Sequence, residues 1–473
     1  MEKKERGSFK GSVGFVLAAA GSAVGLGNIW RFPYLAARDG GGLFLVIYII
    51  LALTFGFALV TTEVVIGRKT RQSPLTAYKY LSPKWKWLGF FSCLVPAIIM
   101  PYYCAIGGWV LKYLVAFATA AGDEAAEDGF FTSFITGNYE PGIYMFFFLG
   151  ICASIIYNGV SSGIEKSSKF LMPILLVLVI GVAVFSLTLT STNESGKIIT
   201  GFDGLKVYMI PDFTGVGIKE IFRITMDALG QLFFSLSVAM GILIAYGSYM
   251  PDEVNLVKSI NQIEFFDTFV AFLAGVMIIP AVFVFSGNEG MTAGPSLMFI
   301  SLPKVFNQMG SIGQVIGTLF FAMVFFAAVT SAMSILEAVV SSLMDAFGWS
   351  RKKATLIESL VALVVGLVVC FGYNIFYFDY ELPNGSVGQI LDILDYVSNN
   401  ILMPFVAIAT CILVGWVLKP KFIIDEATKN GEKFGRKGLY IVMIKFVAPL
   451  FLLILLIMSS GIVSFIFDKL KNS

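Results

Sequence analysis

The chain has 473 residues, of which 57% are hydrophobic and 15% aromatic, against only 14% charged. That balance excludes an ordinary soluble domain and describes a polytopic membrane protein. A net charge of +2 and the complete absence of histidine argue against nucleic-acid binding, and they remove histidine-based catalysis and histidine metal sites. An enzyme is therefore not expected.

Hydrophobic stretches of spanning length, roughly 17 to 25 residues or longer, fall at 12–37, 41–67, 88–120, 143–160, 167–190, 219–248, 258–286, 312–346, 354–374, 388–418 and 438–467. These predict an all-α membrane protein with about eleven transmembrane helices. Basic residues cluster at Met1–Lys10, between Arg68 and Lys86, at Arg351–Lys353 and between Lys419 and Lys437. The acidic loops 121–129 and 379–381 lie in the alternate connections, so positive charge places the N-terminus in the cytoplasm and the C-terminus outside, in the plasma membrane. Lys469 and Lys471 run against that rule. The first stretch is long and lacks a small-residue cleavage site, so it reads as a span rather than a signal peptide. Cys93, Cys104, Cys152, Cys370 and Cys411 all fall in spans without metal spacing and read as packing residues.

Two spans are interrupted. In the first, GSAVGLGNIWRFP (21–33) puts three glycines, an asparagine and an arginine where lipid cannot satisfy freed backbone groups. In the sixth, GQLFFSLSVAMGILIAYGSY (230–249) centres Ser235, Ser237, Ala239 and Gly241 in an apolar helix. Breaks in spans one and six, five apart, fit two five-helix halves of inverted topology, with the solute bound where they meet. The halves would be 1–190 and 219–418, with 438–467 as an extra helix. A broken helix offers amide donors to an anion and free carbonyls to a cation, which suits a zwitterion accompanied by sodium. Glu63, Asp267, Asp345 and Asp395 are costly within a bilayer and mark function. Thr330 and Ser331 add a hydroxyl pair in the eighth span, where Glu337 has no partner legible in the sequence.

On these residues the chain resembles bacterial members of the neurotransmitter:sodium symporter family, which have the leucine-transporter fold. The diagnostic string is AVGLGNIWRFP at 23–33, supported by GGG at 40–42, TTEVVIGR at 61–68, PYY at 101–103, GQLFFSLS at 230–237 and TS at 330–331. The resemblance implies two sodium sites. One would use the Ala23 carbonyl, Asn28, Ser235, Asp267 and the substrate carboxylate; the other would use the Gly21, Val24 and Ala327 carbonyls with Thr330 and Ser331. It puts the substrate carboxylate on the Leu26 and Gly27 amides and the Tyr103 hydroxyl. Around the side chain would lie Ser22, Ile99, Phe234, Ser237, Ala239, Met240, Ala332 and Ile335. Monoamine transporters of the family carry an aspartate where this chain has Gly25, so an amino acid is implied, with a large hydrophobic or aromatic side chain.

The same resemblance implies an outer gate of Arg31 with Asp395, above Tyr103 and Phe234, and an inner gate of Arg6 with Asp345, near Phe9, Ser248 and Tyr249. Gly163 and Pro173 would let the inner end of the fifth span unwind, and Glu63 would brace the breaks. Asp267 and Ala271 stand where chloride-dependent members have asparagine and serine. Transport is therefore expected to be independent of chloride, with Asp267 a candidate for returning a proton outward. The function implied is sodium-coupled amino acid symport by alternating access. The rival reading is an amino-acid-binding membrane sensor of the same fold that transports little.

Overall fold

The computed structural model describes residues 7–192, 196–211, 213, 216–287, 290–291, 294–383 and 385–461. Among them nine helices are long and apolar enough to cross a membrane: Gly42–Thr70, Pro83–Ala118, Glu140–Tyr157, Val160–Leu187, Leu256–Ser286, Ser311–Phe347, Arg351–Phe371, Ile390–Val417 and Lys437–Ser459. A tenth crossing is the bent pair Ser12–Ala23 and Gly27–Arg38, whose axes differ by 53°. Ile218–Ser235 and Ile242–Ser248, separated by six non-helical residues, occupy the place of the sixth span. Within the described residues every segment read from hydrophobicity contains a helix, and the two read as broken are broken.

The end of the bundle bearing Arg31 is called outer below. At that end lie an antiparallel hairpin pairing Thr190–Thr192 with Ile198–Thr200, the short helix Gly201–Met209, the helix Leu302–Gln308 and a second hairpin, Tyr380–Glu381 with Val387–Gly388. The acidic 121–129 loop is at this end too, with Asp128 receiving Lys304 at 2.5 Å. At the other end the basic loops converge. Arg68 bonds the Val254 and Asp252 carbonyls at 3.1 and 2.9 Å and pairs with Glu426 at 3.2 Å. Arg71 reaches the Met250 carbonyl and the Asp252 carboxylate.

Helices interrupted by π-type turns recur: Gly27–Arg31 in the first span, Ala52–Gly56 in the second, Val160–Glu165 at the start of the fifth and Tyr396–Leu402 in the tenth. Each leaves carbonyls without a helical partner, and such bulges occur where function needs an irregular backbone. Arg436 fills one of them, donating to the Leu53 carbonyl at 2.9 Å while pairing with buried Glu264 at 2.8 Å. At the fifth span's inner end Gly163 packs so tightly that a Cβ would strike the Ile155 carbonyl. The five cysteines are free thiols, four of them buried and Cys93 partly so.

Candidate functional site

The site is built where the two broken spans cross the eighth. Helix Ser12–Ala23 ends at Val24, whose N–H still reaches the Ala20 carbonyl at 2.7 Å, and the next turn does not continue. Gly25 instead gives its N–H to the Asn28 side-chain oxygen at 3.1 Å. Its missing side chain matters, because a Cβ there would stand 2.7 Å from Ser331 Oγ and 3.3 Å from the Tyr103 hydroxyl. Across the gap, Ser237, Ala239 and Gly241 all adopt positive φ, at 53°, 63° and 71°. Two of these are not glycine, a strained choice that tertiary contacts must stabilise. Glu63 supplies one such contact, its carboxylate accepting the Ala239 N–H at 2.7 Å. The brace expected of Glu63 is therefore in place.

Two oxygen clusters result. In the first, Ser331 Oγ lies 3.4 Å from the Gly21 carbonyl, 3.1 Å from that of Ser22 and 3.5 Å from that of Val24. Thr330 Oγ1 is 3.0 Å from the Ala327 carbonyl. One hydroxyl has one proton, so it satisfies a single carbonyl of the three that face it; the remaining lone pairs look into a cluster made only of oxygen. A hard monovalent cation is the ligand such a cluster fits. Ser22, whose carbonyl was not assigned to the cluster from sequence, belongs to it by distance.

In the second cluster, fully buried Asp267 receives Ser235 Oγ at 2.6 Å and Asn28 Nδ2 at 2.8 Å on one oxygen, and the Tyr48 hydroxyl at 3.3 Å on the other. No basic side chain pairs with it among the described residues. A carboxylate wrapped by neutral donors inside a membrane also fits a cation. Asn28, Ser235 and Asp267 are thus brought together, and Tyr48 is an additional partner that no motif signalled; Ala23 lines the adjoining cavity. Gln231 was likewise missed: its amide donates to the Gly27 carbonyl at 3.0 Å and ties the two broken spans.

Between the clusters lies a small cavity. Ser22, Ala23, Gly25, Leu26 and Gly27 form one wall, Phe234, Ser235, Ser237 and Met240 another, and Ile99, Tyr103, Ser331 and Ile335 the remainder. Asn28 also reaches it. Two residues expected here, Ala239 and Ala332, are fully buried but do not line the cavity. Ala239 instead faces Glu63, which accepts its N–H. The Tyr103 hydroxyl is buried beside the Leu26 amide and Ser331 and meets hydrogen-bond criteria with no partner among the described residues, leaving it available to a ligand.

The gates differ in state. Arg31 and Asp395 lie within electrostatic reach of each other, but no ion pair joins them; Asp395 instead accepts Asn399 Nδ2 at 2.6 Å, one turn along its own helix. The direct outer pair expected from sequence is thus not formed. Further out, Arg38 and Arg223 bind buried Asp39 at 2.7 and 2.8 Å, and both reach Asp227, joining the outer halves of the first and sixth spans. Arg6 lies outside the described residues. Its expected partner Asp345 accepts the Ser73 N–H at 2.7 Å.

The inner side is closed. Phe9 is buried edge-on against Phe15, Tyr246 and Tyr249; its N–H and the Ser8 hydroxyl both bond the Tyr249 carbonyl. Beneath, the Tyr249 hydroxyl donates to Glu337 at 2.6 Å, and Arg351 grips Glu337 at 2.5 and 2.9 Å. Glu337 therefore has a role the sequence did not disclose. At the fifth span, Glu165 accepts the Lys10 N–H at 2.9 Å.

The model of the sodium:neurotransmitter symporter family matches residues 6–122 and 135–471. The chain belongs to this family. A sodium-dependent transporter of Bacillus subtilis (strain 168), YhdH, is 32% identical over 98% of this chain and 100% of its own length. The human sodium- and chloride-dependent GABA transporter 2 is 25% identical over 90% of this chain and 76% of its own. The crystal structure of MhsT in complex with L-phenylalanine superposes with a TM-score of 0.83 at 31% identity, covering 96% of this chain and all of that one. The family member described here is accordingly a multi-pass membrane transporter of the leucine-transporter fold, and not an enzyme.

Proposed function

We propose that this symporter carries a neutral amino acid with a large hydrophobic or aromatic side chain into the cell, driven by sodium bound at two sites. The observation that carries the reading is the oxygen-only cluster of Ser331 with the Gly21, Ser22 and Val24 carbonyls. The Asp267 cluster supports a second ion beside the cavity. A substrate carboxylate placed on the Leu26 and Gly27 amides and the unpartnered Tyr103 hydroxyl would touch that ion, so each raises the affinity of the other. Ile99, Phe234, Met240 and Ile335 give the rest of the cavity an apolar lining, and the related MhsT is known with L-phenylalanine bound. Asp267 supplies fixed negative charge next to the ion, which supports transport without chloride.

Alternating access would open the Phe9–Tyr249–Glu337 closure inward and draw Arg31 toward Asp395 outward, in the plasma membrane with the N-terminus cytoplasmic. Proteoliposomes loaded with sodium-free buffer should accumulate labelled L-phenylalanine when sodium is added outside. Replacing chloride by gluconate should leave the rate unchanged. Sodium-dependent binding without accumulation would identify a sensor instead, and loss of most uptake without chloride would remove the role given to Asp267.

A further inference from the structure

The ninth span carries a carboxyl group within its length that neither cluster uses. Glu358 lies seven residues after Arg351, about 10 Å along the helix axis at ~1.5 Å per residue. It is 6% exposed and, among the described residues, has no hydrogen bond and no ion pair. Two further polar groups beside it are also left over: Thr355, one turn earlier, and Ser359, the next residue, have buried hydroxyls without partners. Hydroxyls on membrane helices ordinarily bond the carbonyl four residues back, as Thr62 and Ser334 do here. An unpaired threonine, carboxyl and serine within five residues therefore depart from what packing alone would give.

Among the described residues no cation pairs with the group. Arg351 is engaged by Glu337 and Tyr249, while Lys352 and Lys353 lie over the Tyr157 and Trp349 rings. The third span offers Cys93 and Cys104. On the eighth span Glu337 and Asp345 are engaged by Arg351 and Ser73, and on the fourth Tyr157 lies under Lys352 while Tyr144 packs on Phe134. An ionised carboxylate without a counter-charge is poorly tolerated at this depth, whereas the neutral acid fits. The two spare hydroxyls supply the donors that the ionised form would need, so the site can hold either form.

We propose that Glu358 is a proton-binding site within the membrane, separate from the sodium clusters, protonated while the inner side is closed. When the inner ends of the third, eighth and ninth spans are wetted, its O–H bond breaks, the proton passes to water and the carboxylate takes the Thr355 and Ser359 hydroxyls as donors. That coupling to the transport cycle rests on the symport reading; proton binding itself does not.

The full-length protein in lipid vesicles tests both parts. The carboxylic-acid C=O stretch, followed by difference infrared spectroscopy at neutral pH, should contain a component that disappears in Glu358→Gln. Sodium-driven uptake of L-phenylalanine by wild type should vary about fivefold between about pH 5.5 and 8.5, and E358Q should vary less than about 1.5-fold while binding L-phenylalanine as wild type does. The T355V/S359A double variant keeps the carboxyl group, and its midpoint should rise by about one pH unit as donors to the ionised form are lost. An infrared component unchanged in E358Q, a flat wild-type profile or an unmoved midpoint in the double variant would each overturn the proposal. If wild type shows the infrared component but no sodium-driven uptake at any pH, the symport reading fails and the proton site stands.

Discussion

Replacing Tyr249 by phenylalanine removes one oxygen from the inner closure and little else. The ring keeps its edge-on contact with Phe9, at 6.4 Å and 72°, and the backbone bonds from Phe9 and Ser8 to residue 249 persist. What disappears is the 2.6 Å bond to Glu337 and the 3.3 Å bond from Arg351. A bond to a buried carboxylate contributes about 1.5–3 kcal/mol. Glu337 keeps both contacts from Arg351, so the larger cost of stranding a buried charge does not arise. Tyr249 sits on the inner part of the sixth span, which must separate from the eighth and ninth when the site opens inward; the loss therefore falls on the closed form alone. At about 1.4 kcal/mol per decade the closed-to-open ratio should fall by about 10- to 150-fold. Amide hydrogen exchange along Ile242–Ser248 reads that ratio directly where opening is rapid and reversible. Tyr246→Phe is the comparator: its hydroxyl bonds the neutral Ser334 at 2.7 Å, a contribution of about 0.5–1.5 kcal/mol and hence an acceleration of about 2- to 12-fold. Exchange in Y249F within about twofold of wild type, or a larger effect in Y246F, would refute the reasoning.

Gly25→Ala should push Ser331 off the carbonyls it faces, because the added carbon would lie 2.7 Å from its hydroxyl. Overpacking of about 1–3 kcal/mol translates to roughly a 5- to 150-fold rise in the sodium concentration for half-maximal binding; an unchanged sodium titration would remove this cluster from the ion-binding reading. Glu63→Ala should strand the Ala239 N–H and destabilise the protein by about 1–3 kcal/mol, seen as a lower Tm, whereas E63Q keeps an acceptor and should lose less. Equal losses would show that the charge, and not the bond, braces the break. In the outer helix Gly201–Met209, the Thr200 hydroxyl and then Lys206 hold the Asp203 carboxyl down at about 2. Its folded value lies below its unfolded one, so its contribution is present above about pH 4 and lost as pH falls toward 2. Amide exchange of Asp203 and its neighbours should quicken over that window, and should already be quick at neutral pH in D203N.

Much of this site is legible because its chemistry is local. Glycines at 21, 25 and 27 break a span wherever they fall in a bilayer, and the small residues 235–241 do the same five spans later, so both breaks follow from the residues themselves, while the individual oxygen ligands follow from the family resemblance. What the spacing hides is where a side chain turns once helices pack. Glu337 and Tyr249 are 88 residues apart, Tyr48 meets Asp267 across 219, and no periodicity announces either contact. Asp395 is a case of competition: its charge sits at the level of Arg31, yet Asn399 on the next turn is nearer and captures it. Ala239 stands away from the cavity with its N–H held by Glu63, a contact 176 residues distant in sequence that an alanine in a helical-looking string does not advertise.

The lattice of Arg38, Asp39, Arg223 and Asp227 lies on the rim facing the medium, and three of its four side chains are at least 32% exposed. At that exposure its strength depends on ionic strength, since screening acts over about 8 Å at physiological salt. Sodium chloride therefore supplies the coupling ion and perturbs the solvent at once. Adding it raises the sodium available to the proposed sites and, at the same time, loosens the clasp that holds the outer halves of the two broken helices together. A sodium titration reports affinity only when an inert salt such as choline chloride keeps the total ion concentration constant; otherwise part of the curve measures the rim.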